Sequence, residues 1–261
     1  MADLPVLSYC RPRNLPEAIS ALSRRGARAY AGGTDLVVAL TDRRPSVGSV
    51  RELVDIKHLA VAKGIVDRGT TVRIGALTTA AELAASGIVR RDARALAEAA
   101  EQSAAPALRR RGTIGGNLVT PHPAGDLTIA LMSLGATVEV ADRTGRRRVP
   151  VATFIGSPIH RSRLVLAVYL PKCRHSAFEK LGRRQGFSRS VLAVAVSFSS
   201  RAVGVAIGGV ARRPVVATRT SAALRAGTGL TEALAADRLG SADLRLLAVM
   251  TRRAHHRAGG R

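Results

Sequence analysis

The sequence predicts an α+β chain in two parts, on three observations. Short apolar runs alternate with alanine-rich helical stretches up to residue 172, long β-runs begin beyond Cys173, and the C-terminal stretch carries alanine and leucine at helical spacing. At 261 residues and 46% hydrophobic content the chain can build a substantial core.

In order, Asn14 is placed to cap a helix over 15–25, in which Leu15, Ala18, Ile19 and Leu22 share a face and Gly26 is the stop. A strand over 28–31 runs into Ala31-Gly32-Gly33-Thr34-Asp35, and a helix starts within 36–40. Short strands over 52–56, 64–66 and 71–74 are separated by charged or glycine turns, and helices follow over 79–85 and 94–101. Pro121 and Pro123 hold an extended segment before Asp126, which is placed to cap a helix over 127–134. Strands over 137–140 and 147–149 form a hairpin around Arg143-Thr144-Gly145, and a strand over 163–170 is stopped by Pro171. Beyond Cys173 the β-runs 191–198 and 202–207 are broken by Gly208-Gly209 and give way to helix.

The net charge of +23 admits a nucleic-acid or acidic-membrane partner. Only Lys57, Lys63, Lys172 and Lys180 are lysines, however, and the arginines are dispersed in groups such as Arg24-Arg25, Arg109-Arg110-Arg111 and Arg146-Arg147-Arg148. With abundant alanine and glycine, that is the residue usage of a GC-rich coding sequence. Aromatic content of 3% without tryptophan leaves little for base stacking. An acidic partner protein fits the same charge. No apolar run reaches the roughly 18 residues of a membrane span, and the first residues lack a basic segment followed by an apolar one. A cytoplasmic location is expected.

Cys10 and Cys173 match no metal or iron–sulfur spacing, so any such cluster belongs to another chain. His160, His175, His255 and His256 share no ligand spacing, Ser157-Pro158 lacks a GxSxG elbow, and His122 between Pro121 and Pro123 reads as a polar loop residue. No metal site and no catalytic acid, base or nucleophile is expected.

The chemistry is concentrated in two glycine motifs, Ala31-Gly32-Gly33-Thr34-Asp35 and Thr113-Ile114-Gly115-Gly116-Asn117, neither of them a GxGxxG or a P-loop. Paired glycines let the backbone approach a ligand and turn N–H groups towards one point, which suits a pyrophosphate. Gly32, Gly33 and Thr34 supply donors in the first, with Asp35 capping the next helix; Thr113, Gly115, Gly116 and Asn117 supply them in the second. Asp126, nine residues on, is placed for a ribose hydroxyl or the edge of a ring. Together they point to a large phosphate-bearing cofactor laid across the domain.

The strings 29–40 (AYAGGTDLVVAL), 53–56 (LVDI), 72–83 (VRIGALTTAAEL), 111–127 (RGTIGGNLVTPHPAGDL) and 178–184 (FEKLGRR) resemble the FAD-binding medium subunit of the molybdenum hydroxylases, a family that includes carbon monoxide, xanthine and aldehyde-oxidising complexes. The resemblance runs from about residue 4 to the C-terminus. It implies a two-part FAD-binding domain of the vanillyl-alcohol-oxidase (PCMH) type over 1–172, made of two α/β subdomains. A C-terminal flavoprotein domain over 173–261 then has a three-stranded antiparallel sheet with a helical bundle.

By the same resemblance FAD is held by Ala29, Tyr30, Ala31, Gly32, Gly33, Thr34, Asp35 and Leu36, by Thr113, Ile114, Gly115, Gly116 and Asn117, and by Asp126 and Lys180, with weaker contacts near Ser103 and Leu164. Electrons arrive from 2Fe–2S clusters on a small subunit, the molybdopterin centre sits on a large one, and the assembly is a dimer of heterotrimers. The acceptor is NAD, quinone or oxygen. The chain departs from the family at Arg109-Arg110-Arg111-Gly112, where an asparagine is missing, and over Gly186-Phe187-Ser188-Arg189-Ser190. A basic nucleic-acid-binding or scaffold protein that keeps the fold without flavin is the alternative.

Overall fold

A computed structural model describes residues 7–120, 122–157, 163–184, 188–199, 202–237, 239–240 and 243–260; Pro121, Pro158, His160, Gly186 and Phe187, named above, lie outside them. The chain begins with β1 (Ser8–Cys10), α1 (Leu15–Leu22), β2 (Ala27–Tyr30), α2 (Leu36–Thr41) and β3 (Glu52–Asp55). These strands form a parallel sheet in the order β1-β3-β2. Each parallel neighbour is reached by a crossover rather than a tight turn, as parallel pairing demands. The Asn14 side chain accepts the Glu17 N–H at 3.0 Å, capping α1. The helix is shorter than its sequence suggests: Ser23 Oγ bonds the Ile19 carbonyl at 2.8 Å, and Gly26 turns the chain at φ +82°. Arg24 and Arg25 fall outside it.

The second unit contains β4 (Ile65–Asp67), β5 (Thr71–Gly75), α3 (Ala80–Ala85), α4 (Gly87–Asp92), α5 (Arg94–Gln102), α6 (Pro106–Arg109), α7 (Ile114–Val119), α8 (Asp126–Ser133), β6 (Thr137–Asp142), β7 (Gly145–Pro150), α9 (Val151–Gly156) and β8 (Leu164–Pro171). Its antiparallel sheet has the order β4-β5-β8-β6-β7. Strand β8 reads as an unbroken apolar run because both faces are covered. Leu164 and Leu166 pack with Val54, Ile56 and Leu22 of the first unit; Val165, Val168 and Leu170 pack among the helices of the second. Short helices such as α4 and α6 had no clear sequence signal. Helix α4 is started by Ser86, whose side chain accepts the Val89 N–H at 3.3 Å, and α6 opens on Pro106.

The third unit holds β9 (His175–Gly182), β10 (Ser190–Phe198), β11 (Val203–Gly208), β12 (Val215–Val216), α10 (Thr218–Ala226), α11 (Leu230–Ala236) and α12 (Leu244–Arg257). Three long antiparallel strands, in the order β11-β10-β9, carry the two-residue β12 at one edge. The sequence reading left β9 unassigned, since its charged residues hide the period. Strand β10 is covered on both faces and sorts its side chains by size. Leu192, Val194 and Val196 meet the C-terminal helices with Val205 and Ile207 of β11; Ala193, Ala195 and Ala206 join the core on the other side. The small residues make room for α8, all eight of whose residues are buried. Any Cβ on Gly204 would overlap the Ser133 carbonyl oxygen, and one on Gly208 would overlap Ile129 Cδ1. Burying a side chain such as Leu127, Ile129 or Leu131 stabilises the fold by roughly 1.5–3 kcal/mol.

An ion cluster fastens the segment between β8 and β9 to α4. Asp92 is 1% exposed. It accepts from Arg91 Nε at 3.0 Å and Nη2 at 2.6 Å, with Lys172 Nζ 3.6 Å and Arg174 Nε 3.9 Å away. The Cys173 N–H donates to the Asp92 carbonyl at 2.7 Å. The Arg91 hydrogen bonds outweigh burial and hold the Asp92 carboxyl below its ordinary range. A depressed folded-state pKa gives stability that is present above about pH 4, the ordinary value of the unfolded chain, and is lost as pH falls through the folded value. Asp92→Asn is therefore expected to cost about 1–3 kcal/mol at neutral pH and to flatten the acid decline. Urea unfolding across pH checks this; an unchanged acid limb would remove Asp92 from the account.

Candidate flavin site

The first glycine motif lies between the end of β2 and the start of α2. Gly33 has φ +73°, a conformation that favours glycine, and a Cβ there would come within 2.7 Å of the Tyr30 ring. The turn leaves the N–H groups of Gly32, Gly33, Thr34 and Asp35 without a hydrogen bond to the chain, among the described residues. Asp35 occupies the cap position of α2 in a helical conformation, and its side chain makes no capping bond. Its expected capping role is thereby corrected: an αR backbone does not turn the carboxylate back onto the helix amides.

The second motif is a helix start rather than a loop. Thr113 is the N-cap of α7, and its hydroxyl accepts the Gly116 N–H at 3.1 Å. The Ile114 N–H donates to the Thr78 carbonyl, the Gly115 N–H to the Ala76 carbonyl and the Asn117 N–H to the Thr113 carbonyl, at 2.9, 2.9 and 3.0 Å. Of the expected donors, the amides of Gly115, Gly116 and Asn117 are thus engaged inside the protein, together with that of Ile114. Gly115 is instead a spacer: a Cβ there would come within 2.8 Å of Ala76 Cβ. Asn117 Oδ1 accepts from the Thr128 hydroxyl at 2.8 Å.

The two motifs touch. Gly32 lies so close to Arg111 that any Cβ would overlap the Arg111 carbonyl oxygen, and Arg111 Nε donates to the Gly32 carbonyl at 3.2 Å. Around this contact is a cavity of about 670 Å³ lined by Tyr30, Ala31, Gly32 and Thr113 of the expected site, together with residues that the motifs did not mark. Among the latter are Lys57, Lys63, Thr78 and Arg110. Lys57 Nζ sits 3.9 Å from the centroid of the Tyr30 ring and 2.9 Å from Asp55 Oδ2. Burial raises the Asp55 pKa, but hydrogen bonds from Tyr9 and Lys57 prevail and lower it. Thr79 and Glu82 form a capping box that starts α3 beside the cavity, a pairing legible in the sequence. The convergence of these segments has no local sequence signal.

The other expected residues lie elsewhere. Ala29 is within β2, and Leu36 packs in α2 against a small apolar cluster. Asp126 and Lys180 are brought together as a buried ion pair at 3.1 Å, and neither is among the residues lining the cavity. Lys180 Nζ also donates to the carbonyls of Gln102 at 2.7 Å and Ser188 at 3.1 Å. The Asp126 carboxylate accepts from Ser190 and, at 3.4 Å, from Ser103. Burial pushes the Asp126 pKa up, against the pull of Lys180 and the serine hydroxyls. Helix α8 has no side-chain cap, because its N-cap is Gly125 and Asp126, expected to cap it, is already the first residue of the helix. Leu164 is buried in β8. His122 Nδ1 accepts the Ala124 N–H at 3.1 Å within its turn.

Residues 5–173 match the family model described as the FAD binding domain in molybdopterin dehydrogenase. The chain belongs to this family. The carbon monoxide dehydrogenase medium chain of Hydrogenophaga pseudoflava is 32% identical over 191 residues, 70% of this chain and 66% of that one. The corresponding chain of Afipia carboxidovorans is 31% identical over 281 residues, 97% of this chain and 96% of that one. The match thus spans just under two thirds of the first relative and nearly all of the second. A solved structure of carbon monoxide dehydrogenase from Hydrogenophaga pseudoflava superposes with a TM-score of 0.86 at 27% identity, covering 98% of each chain.

The residues present fit an FAD. A turn with four unbonded amides, a cationic cavity beside it and a buried Thr78 hydroxyl without a partner are what a diphosphate-bearing ligand requires. Gly32→Val forces the two motifs apart at this turn. It is expected to weaken FAD retention at least about tenfold, the equivalent of 1.4 kcal/mol, with the circular dichroism spectrum unchanged. Flavin absorbance after gel filtration reads the effect, and wild-type retention would take Gly32 out of the site.

Proposed function

We propose that this chain is the FAD-carrying electron-transfer subunit of a molybdenum hydroxylase complex. The observation that carries the reading is the first glycine motif: its four free amides open beside a cationic cavity, within a domain of the FAD-binding family. Gly32, Gly33, Thr34 and Asp35 hold the diphosphate through their N–H groups. Tyr30, Ile65 and Leu77 give the cavity apolar wall for the flat part of a nucleotide. Asn117 and the Thr113 hydroxyl orient the ligand from the second motif. The Asp126–Lys180 pair ties the start of α8 to β9 and fixes the border of the site. The bound flavin supplies the redox chemistry, taking up electrons and releasing them to an acceptor.

In this reading residues 1–172 hold the cofactor and 173–261 form the C-terminal flavoprotein domain. Electrons come from 2Fe–2S clusters of a small subunit and leave to NAD, quinone or oxygen. The molybdopterin centre lies on a large subunit, and the complex is a cytoplasmic dimer of heterotrimers. Support comes from the relatives, which are medium chains of carbon monoxide dehydrogenases. Cys10 and Cys173 are both free thiols, and among the described residues no group of three metal-binding side chains occurs. No helix among them is long and apolar enough to cross a membrane.

The test is a visible spectrum of the purified chain with FAD, alone and co-purified with the neighbouring subunits. Flavin bands that co-elute with the protein, and bleach when the complex is given its reducing substrate, are expected. A colourless chain in both preparations, with salt-sensitive DNA binding instead, would replace the reading with the basic scaffold.

A further inference from the structure

Four basic side chains line the 670 Å³ cavity, Lys57, Lys63, Arg110 and Arg111, and their charges are compensated unequally. Lys57 is paired with Asp55 at 2.9 Å. Arg111 donates to a neutral acceptor, the Gly32 carbonyl, at 3.2 Å. Lys63 and Arg110 are exposed at the cavity, and their side chains make no hydrogen bond or ion pair among the described residues. The one carboxylate on the lining is Glu82, and it is committed to Thr79, accepting its N–H at 2.7 Å and its hydroxyl at 2.9 Å. With Lys57 paired, the wall carries the charges of Lys63, Arg110 and Arg111 against the single carboxylate of Glu82, and is net positive. Such a concentration of one sign is unfavourable by itself and favours an anionic ligand.

A second, independent observation points the same way. Thr78 lines the same cavity at 4% exposure, and its hydroxyl is buried with no partner. Buried hydroxyls are ordinarily hydrogen-bonded, and this one belongs to a residue of the cavity wall with its bonding capacity unused. Gly32, whose N–H is among the unbonded amides of the first motif, is on the same lining. The requirement is for a ligand with a compact, multiply charged anionic group and a flat body.

We infer that Lys63 and Arg110 are the charge-selecting contacts of this site. They neutralise the diphosphate of a dinucleotide, so that the chain distinguishes FAD from the uncharged riboflavin by its nucleotide half. This rests on the flavin reading above. Both side chains are exposed and neither supports the core, so replacing them is expected to leave the fold intact.

Equilibrium dialysis of the full chain against FAD, riboflavin and ADP, at low and high ionic strength, tests the assignment. The wild type is expected to bind FAD less tightly as salt rises, with ADP displacing it. The double variant Lys63→Gln/Arg110→Gln is expected to lose at least about tenfold in affinity for both FAD and ADP, with a shallower salt dependence and unchanged riboflavin binding. The charge-keeping pair Lys63→Arg/Arg110→Lys restores FAD binding. Circular dichroism confirms that each variant is folded.

Wild-type affinity for FAD in the glutamine variant, or failure of ADP to displace FAD, would overturn charge selection while leaving the flavin reading in place. ADP binding that falls in the variant, with no flavin bound by any form, would overturn the flavin reading and leave the charge-selecting role. A folded wild type that binds neither would overturn both.

Discussion

Burial of α8 on every side is the constraint on which the rest of the structure depends. A helix with no solvent-facing stripe must satisfy each polar side chain from within the protein, and α8 carries three. Ser133 Oγ bonds the Ala130 carbonyl at 2.9 Å, Thr128 donates to Asn117 at 2.8 Å, and Asp126 receives Lys180, Ser190 and Ser103. These partners come from α7, β9, β10 and the end of α5. Satisfying one helix thus positions the second glycine motif against the C-terminal sheet. The glycines and alanines of β10 and β11 are the counterpart of that burial, since larger side chains would exclude the helix.

The two glycine motifs look alike in sequence and do different physical work. In the first, the chain turns at a positive-φ glycine and four amides are left without a hydrogen bond among the described residues. In the second, the corresponding amides are consumed by a capping hydroxyl and by the carbonyls of Ala76, Thr78 and Thr113. What Gly115 contributes there is the absence of a side chain, which lets α7 close on Ala76, just as Gly32 lets the first motif close on Arg111. One motif leaves its donors free; the other spends them inside the protein and uses its glycine for a close backbone approach.

Much of this was legible in the residues. Asn14 as the cap of α1, the hairpin around Arg143-Thr144-Gly145 and the apolar runs of β8 and β10 all follow from local propensity and period. What escaped was of two kinds. Elements too short or too charged to show a period, β1, α4, α6, α7, α9, β9 and β12, give no local signal. The commitments of polar groups were also hidden. Asp35 and Asp126 each precede an apolar helical stretch, the ordinary signature of a cap, yet one has the wrong backbone angles and the other lies inside its helix, one residue past the cap, paired with a buried lysine.

The sequence by itself determined the α+β class, the family, the two glycine motifs and the division of texture near Cys173. These depend on residues close together in the chain, where backbone preference and hydrophobic period act. Only the tertiary structure decided which amides remain free, that Asp126 and Lys180 pair with each other, and that Lys57, Lys63, Thr78 and Arg110 surround one cavity. Hydrogen bonds and charges act through space between segments that the sequence keeps far apart. A donor's availability is known only once every acceptor within its reach has been placed.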